Sequence, residues 1–187
     1  MMESFDLIVI GAGSAGLTAA GGVAMFGLKV ALIESGTMGG ECLNTGCVPS
    51  KAMLAAAKAA HGARDSTRYG IKATPEVDWS GVRAHVDSAI AAIAPHDSQE
   101  RFEEMGIEVI RAPAHFLDGK SLQVGNRRLT APRIVIATGS KTAIPPIEGL
   151  AGVPFLTNET LFTLDMLPEH LIVLGGDRNR TKEAARP

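Results

Sequence analysis

The sequence predicts an α/β fold with a parallel sheet, a helical excursion and a small β-meander, on three observations. Residues 6–10 (DLIVI) form a short apolar run, the pattern of a parallel strand buried on both faces. A glycine-rich turn, an apolar helical stretch and a second apolar run at residues 29–33 (KVALI) follow, and they read as a βα unit with its next strand. At 187 residues with net charge −2, the chain is long enough for one α/β domain with a real core.

The turn after the first strand is Gly11-Ala12-Gly13-Ser14-Ala15-Gly16, a G-x-G-x-x-G. The first glycine permits the tight turn, the second lets a pyrophosphate approach the backbone, and the third lets the helix pack closely on the strand. A helix over residues 14–26 would aim its first amides, with the positive end of its dipole, at those phosphates. Glu34 closes the second strand, eighteen residues beyond Gly16, where a carboxylate accepts hydrogen bonds from an adenosine ribose and repels a 2′-phosphate. A glycine-rich turn alone is weak evidence; strand, helix and carboxylate together predict a dinucleotide site. Residues 7–28 carry no charge and are long enough to mimic a membrane span. Six glycines, a strand-like start and the acidic flanks Glu3 and Asp6 argue against a span or a secretory signal.

Residues 39–51 (GGECLNTGCVPSK) hold the chain's two cysteines, Cys42 and Cys47. In a regular helix, residues five apart lie roughly 8 Å apart at Cα, beyond the usual disulfide reach of about 7 Å. If the two pair, the segment between them must be irregular, which Asn44, Thr45 and Gly46 suit. Pro49 and Ser50 read as the start of an alanine-rich helix over residues 50–64. Cys47 would then sit near a helix N-terminus, an environment that favours thiolate. Zinc would need about four ligands, and the nearest histidine is His61; no metal site is predicted. A structural disulfide is the other alternative, of modest worth for so short a loop.

Further along, Asp78 or Ser80 can cap a helix whose stripe Val82, Val86, Ile90 and Ile93 recurs at helical spacing. That stripe reads as core, and Trp79 as packing. Pro95 breaks the helix, and a second short one runs to about Met105. From Ile107 (IEVI), short strands with turns at Asp118-Gly119 and Gly125-Asn126 predict the meander. Residues 133–137 (RIVIA) read as a return to a buried strand that delivers Thr138-Gly139-Ser140. The histidines His61, His85, His96, His115 and His170 are scattered and read as surface or satisfied core residues. Dispersed basic residues and 4% aromatics suggest neither a nucleic-acid surface nor an anionic-membrane surface.

The βα unit, Glu34 and GGECLNTGCVPSK together resemble the flavin domain of the class I pyridine nucleotide–disulfide oxidoreductases, the family of dihydrolipoamide dehydrogenase, mercuric reductase and glutathione reductase. The resemblance implies a Rossmann-like FAD-binding domain. Gly11, Gly13, Ser14, Ala15, Gly16 and Glu34 would hold the ADP half of FAD, with Gly40, Cys42, Cys47, Lys51, Ala137, Thr138 and Gly139 also near the cofactor. It implies that Cys42 and Cys47 form a redox disulfide, with Cys47 nearest the flavin, Cys42 meeting substrate, and Lys51 near the reactive edge of the isoalloxazine. NAD(P)H would be the reductant and a small-molecule disulfide or a metal ion the substrate. Complete family members are homodimers, which leaves the oligomeric state of this chain open. The Pro-Ser-Lys form resembles the lipoamide and mercuric branches more than the glutathione branch. Glu41 stands where threonine is common, a departure that resembles a mercuric reductase-like subgroup more than either named enzyme. A cytoplasmic setting is expected, and the alternative reading is a nucleotide-binding module with a purely structural cysteine pair.

Residues 1–170 are thus expected to be the FAD-binding portion, and residues 171–187 the start of a nicotinamide-binding domain. Residues 171–176 (LIVLGG) suit such a start, but residues 177–187 (DRNRTKEAARP) are polar and aperiodic. A frameshift, a truncation or a cloning boundary is the expected origin, and the chain alone is expected to be inactive.

Overall fold

The computed structural model describes residues 2–175. Its elements in chain order are β1 (Met2–Ser4), β2 (Leu7–Ile10), α1 (Ser14–Ala24), β3 (Val30–Ile33), α2 (Gly40–Asn44), α3 (Cys47–Asp65), α4 (Trp79–Ile93), α5 (Gln99–Glu104), β4 (Glu108–Ile110), β5 (Ala114–Phe116), β6 (Ser121–Val124), β7 (Arg127–Thr130), β8 (Arg133–Ile136) and α6 (Asn158–Leu161). Two compact units divide the described residues, 2–44 with 93–141 and 45–92 with 142–175.

The first unit holds both sheets. One is wholly parallel, in the order β4-β3-β2-β8, and the other runs β1-β7-β6-β5 with the antiparallel meander at its heart. Alternation along β2 and β3 feeds two cores. Leu7, Val9, Val30 and Leu32 pack with Leu17 and Ala20 of α1 and Phe102 of α5. Ile8, Ala31 and Ile33 pack with Leu122, Val124 and Leu129 of the meander. Each fully buried aliphatic side chain contributes about 1.5–3 kcal/mol, and a one-residue slip would exchange the two faces. The apolar run is therefore a buried strand and a helix that packs on it by one face, not a span. No helix among the described residues is long and apolar enough to cross a membrane.

Three boundaries differ from the sequence expectation. Helix α1 ends at Ala24 instead of residue 26, because Gly27 turns the chain at φ 71°. Helix α3 starts at Cys47, two residues before Pro49. Proline is tolerated in a first turn because that N–H has no intrahelical acceptor. The strand expected to be buried at residues 133–137 is an edge strand. Among the described residues β8 pairs only with β2, so Arg133 is exposed and Ile136 is 65% exposed.

Ion pairs and turn hydrogen bonds pin the meander. Arg127 Nε donates to Glu3 Oε1 at 2.7 Å, and its guanidinium also meets Glu108 at the end of the parallel sheet. Asp118 accepts from the Lys120 and Ser121 amides, both at 2.8 Å, and from the Ser121 hydroxyl at 2.6 Å. Hydrogen bonding from Arg127 holds the Glu3 carboxyl below its ordinary value, and the Ser121 hydroxyl does the same for Asp118. Depressed carboxyl values mean stability that is complete above the ordinary range and lost as pH falls through the lowered values. The melting temperature should therefore fall below about pH 4. Asp118→Asn should flatten that fall, and an acid limb identical to wild type would refute the assignment.

The second unit is the helical excursion. Trp79 does more than pack, since its indole N–H donates to the Leu164 carbonyl at 3.0 Å. Arg83 pairs with Asp165 at 2.8 Å. Val86 is the fully buried member of the α4 stripe, whereas Ile93 is 39% exposed. All five histidines are exposed. Residues 171–175 take no regular secondary structure, and residues 176–187, where the glycine turn and polar tail were read, lie outside the described residues.

Candidate flavin and disulfide site

The glycine loop leaves β2 and enters α1 through three positions with different constraints. Gly11 adopts φ 104°, donates its N–H to Ile33 O at 2.7 Å, and would place a Cβ 2.2 Å from Ala137 O. Gly16 is the helix–strand contact, where a Cβ would lie 1.7 Å from Gly11 O. Gly13 differs from both: the nearest atom to a Cβ there is Gly40 Cα at 3.8 Å. A Cβ at that second glycine would thus make an ordinary van der Waals contact, beside a helix start with no side-chain cap and no acidic residue in its first turn. Ser14 and Ala15 are exposed there, and first-turn amides have no acceptor within their own helix.

Glu34 sits at the end of β3 and is half-buried. Its Oε2 accepts from the Ala12 amide at 2.6 Å and its Oε1 from the Gly36 amide at 2.5 Å. A carboxylate offers about four acceptor positions, so each oxygen retains capacity for a sugar hydroxyl. Glu34 and Gly11 line a notch of about 90 Å³ with Ala112, Ala114 and Thr138. The Ala137 amide donates to Ile10 O at 2.7 Å, which fixes that strand end beside the glycine loop. Gly139 follows at φ 69°. The predicted residues Gly11, Glu34, Ala137 and Thr138 are thus brought together within the first unit.

The cysteine-bearing turn belongs to the same unit as far as Asn44. A Cβ on Gly40 would lie 2.7 Å from Gly13 Cα, and the Gly39 amide donates to Ala12 O at 2.9 Å. The turn thus packs directly on the glycine loop, with half-buried Cys42 two residues further on. Helix α2 ends at Asn44 and α3 begins at Cys47, so the regular helix is interrupted between the cysteines, as a pair would require. In the second unit, exposed Cys47 is the first residue of the 19-residue α3, and the Ser50 amide donates to Gly46 O at 3.1 Å. Lys51 is exposed one turn along.

Sequence reasoning missed Asn44, Arg111 and the two alanines of the notch. Arg111 donates to the Gly36 carbonyl beside Glu34. Its place just after β4, at the strand end that faces the glycine loop, was the available signal. Ala112 and Ala114 carry none.

A family profile described as pyridine nucleotide-disulphide oxidoreductase matches residues 5–177. The chain belongs to this family. Similar proteins include the mercuric reductase of Streptomyces lividans, 40% identical over 179 residues that span 92% of this chain and 38% of the relative. Mycothione reductase of Mycobacterium tuberculosis is 35% identical over 181 residues, 93% of this chain and 39% of the relative. Among solved structures, the HOCl-induced flavoprotein disulfide reductase of Escherichia coli, determined as its Cu(II) complex, superposes with a TM-score of 0.71 at 28% identity. That match covers 87% of this chain and 34% of the neighbour, and it supports the Rossmann-like flavin-domain fold. The family is FAD-dependent with NAD(P)H as reductant. This chain therefore spans between 27% and 39% of the length of the relatives it matches.

Proposed function

We propose that the chain is the FAD-binding portion of a flavoprotein disulfide oxidoreductase, with residues 1–170 forming that portion and residues 171–187 opening a nicotinamide-binding domain. The observation that carries this reading is the packing of the Cys42 turn on the glycine loop through Gly13 and Gly40. A nucleotide cradle and a thiol-bearing helix share one backbone contact there. The residues fit the cofactor: the uncapped first-turn amides of α1 favour the charge of a pyrophosphate, and Glu34 has acceptor capacity for the ribose.

When bound, FAD would supply two-electron transfer from NAD(P)H to the cysteine pair. Two electrons and two protons convert the Cys42–Cys47 disulfide to two thiols. Cys42 as thiolate then attacks one sulfur of a substrate disulfide and expels the other half as a thiol. Cys47 as thiolate displaces the bound half and restores the internal bond. A soft metal ion is the other substrate class that two thiolates suit. The start of α3 favours the thiolate form of Cys47, and Lys51 lies on the same helix. The setting is cytoplasmic, with neither nucleic acid nor membrane as partner, and the complete protein acts as a homodimer.

The chain of 187 residues should retain FAD, as read by flavin absorbance after gel filtration. It should show no steady NAD(P)H-dependent reduction of lipoamide, Hg(II) or another small disulfide. Sustained turnover would refute the claim that this portion needs the rest of the enzyme. Flavin bands with thiols that never form a reversible disulfide would favour the nucleotide-binding module with structural cysteines.

A further inference from the structure

We propose that Asn44 is a positioning residue for Cys42, clamping the thiol-bearing turn onto Gly40 and Met38 and so setting the stability of the Cys42–Cys47 disulfide. This rests on the redox reading of the cysteine pair. The Asn44 side-chain amide Nδ2 donates twice, to Gly40 O at 2.8 Å and to Met38 O at 3.0 Å. Both of its hydrogens are therefore used. The first bond closes back across α2 and the second leaves the helix for a residue anchored elsewhere. Met38 is buried in the core cluster with Leu7, Val9 and Leu32. Cys42 lies midway between Gly40 and Asn44 and is held from both ends.

The clamp matters because α2 cannot hold itself. Five residues fall well short of the length at which an isolated helix is stable. What fixes it is Leu43, 4% exposed, and the two bonds of Asn44. Upstream, the Gly39–Ala12 hydrogen bond and the Gly40–Gly13 approach tie the same turn to the cradle. Asn44 thus braces from its far end the turn that Gly39 and Gly40 tie to the glycine loop. Removing its donors should let Cys42 sample more orientations and lower the effective concentration of one thiol toward the other.

The test measures the disulfide equilibrium of this chain against dithiothreitol, together with iodoacetamide alkylation of Cys42 across pH in a Cys47→Ser background. Asn44→Leu should weaken the disulfide about tenfold, a midpoint about 30 mV less negative. It should also speed alkylation of Cys42 while leaving Cys47 alkylation in a Cys42→Ser background unchanged. Asn44→Asp should weaken the disulfide at least as much, because its carboxylate would face two carbonyl oxygens. Asn44→Ser, able to bond back across one turn but too short for Met38, should give an intermediate shift and decides the matter if the leucine variant does not fold. Wild-type potential and alkylation profile in a folded variant would overturn the proposal. If the wild-type cysteines form no reversible bridge, the redox reading fails instead, and the alkylation arm still decides the role of Asn44.

Discussion

Gly16→Ala should destabilise the chain by about 3 kcal/mol or more and abolish flavin retention, whereas Gly22→Ala on the same helix should stabilise it by about 1 kcal/mol. The contrast isolates packing from helix propensity. Both glycines lie in α1, and neither adopts a positive φ. An added Cβ at Gly22 meets nothing within 4 Å, while at Gly16 it would lie 1.7 Å from Gly11 O and 2.9 Å from Gly11 C. That carbonyl cannot retreat easily. Its residue is fixed by the hydrogen bond from Gly11 N to Ile33 O at 2.7 Å, and Ala137 O closes the other side. Relief must come from moving α1 off β2, which would displace Gly13 and the first-turn amides together. Urea midpoints and flavin absorbance of the two variants provide the measurement. Equal stability and equal flavin retention for Gly16→Ala and wild type would refute the close helix–strand contact.

The same contact explains why the geometry of this glycine loop was legible. Helix–strand proximity in a βα turn is set by residues a few positions apart, so a glycine spacing encodes it directly. Glu34 was legible for a related reason, because the end of β3 is fixed by where the apolar run stops. The places where sequence reading fell short depend on tertiary geometry that residue spacing does not encode. The exposure of β8 follows from which strands flank it, and RIVIA is as apolar as a central strand. Asn44 gives no local sign that its amide meets Met38, nor Arg111 that it reaches Gly36 from 75 positions away. The start of α3 was misplaced by treating Pro49 as the first helical residue. The actual start puts Cys47 itself at that position, nearer the end of the helix dipole than expected.

That last displacement sharpens the prediction for the two thiols. In FAD-loaded chain, reducing the disulfide should produce a broad long-wavelength absorption from a Cys47 thiolate held against the oxidised isoalloxazine. Cys47→Ser should abolish the band and leave FAD bound. Cys42→Ser should give the band without reductant, since Cys47 then has no disulfide partner. The asymmetry has a structural basis: Cys47 opens a helix of 19 residues with no acidic side chain in its first turn, while Cys42 lies inside a five-residue helix whose first turn contains Glu41. A helix start lowers a thiol pKa, so the thiolate should persist below about 8.5, the ordinary thiol value. The band is a property of the anion. It should therefore hold through neutral pH and fade as pH falls through the lowered value, and its midpoint read from absorbance against pH gives that value directly. A band that survives Cys47→Ser but vanishes in Cys42→Ser would reverse the assignment of the two thiols. A midpoint at or above 8.5 would show that the helix start does not act on Cys47 at all.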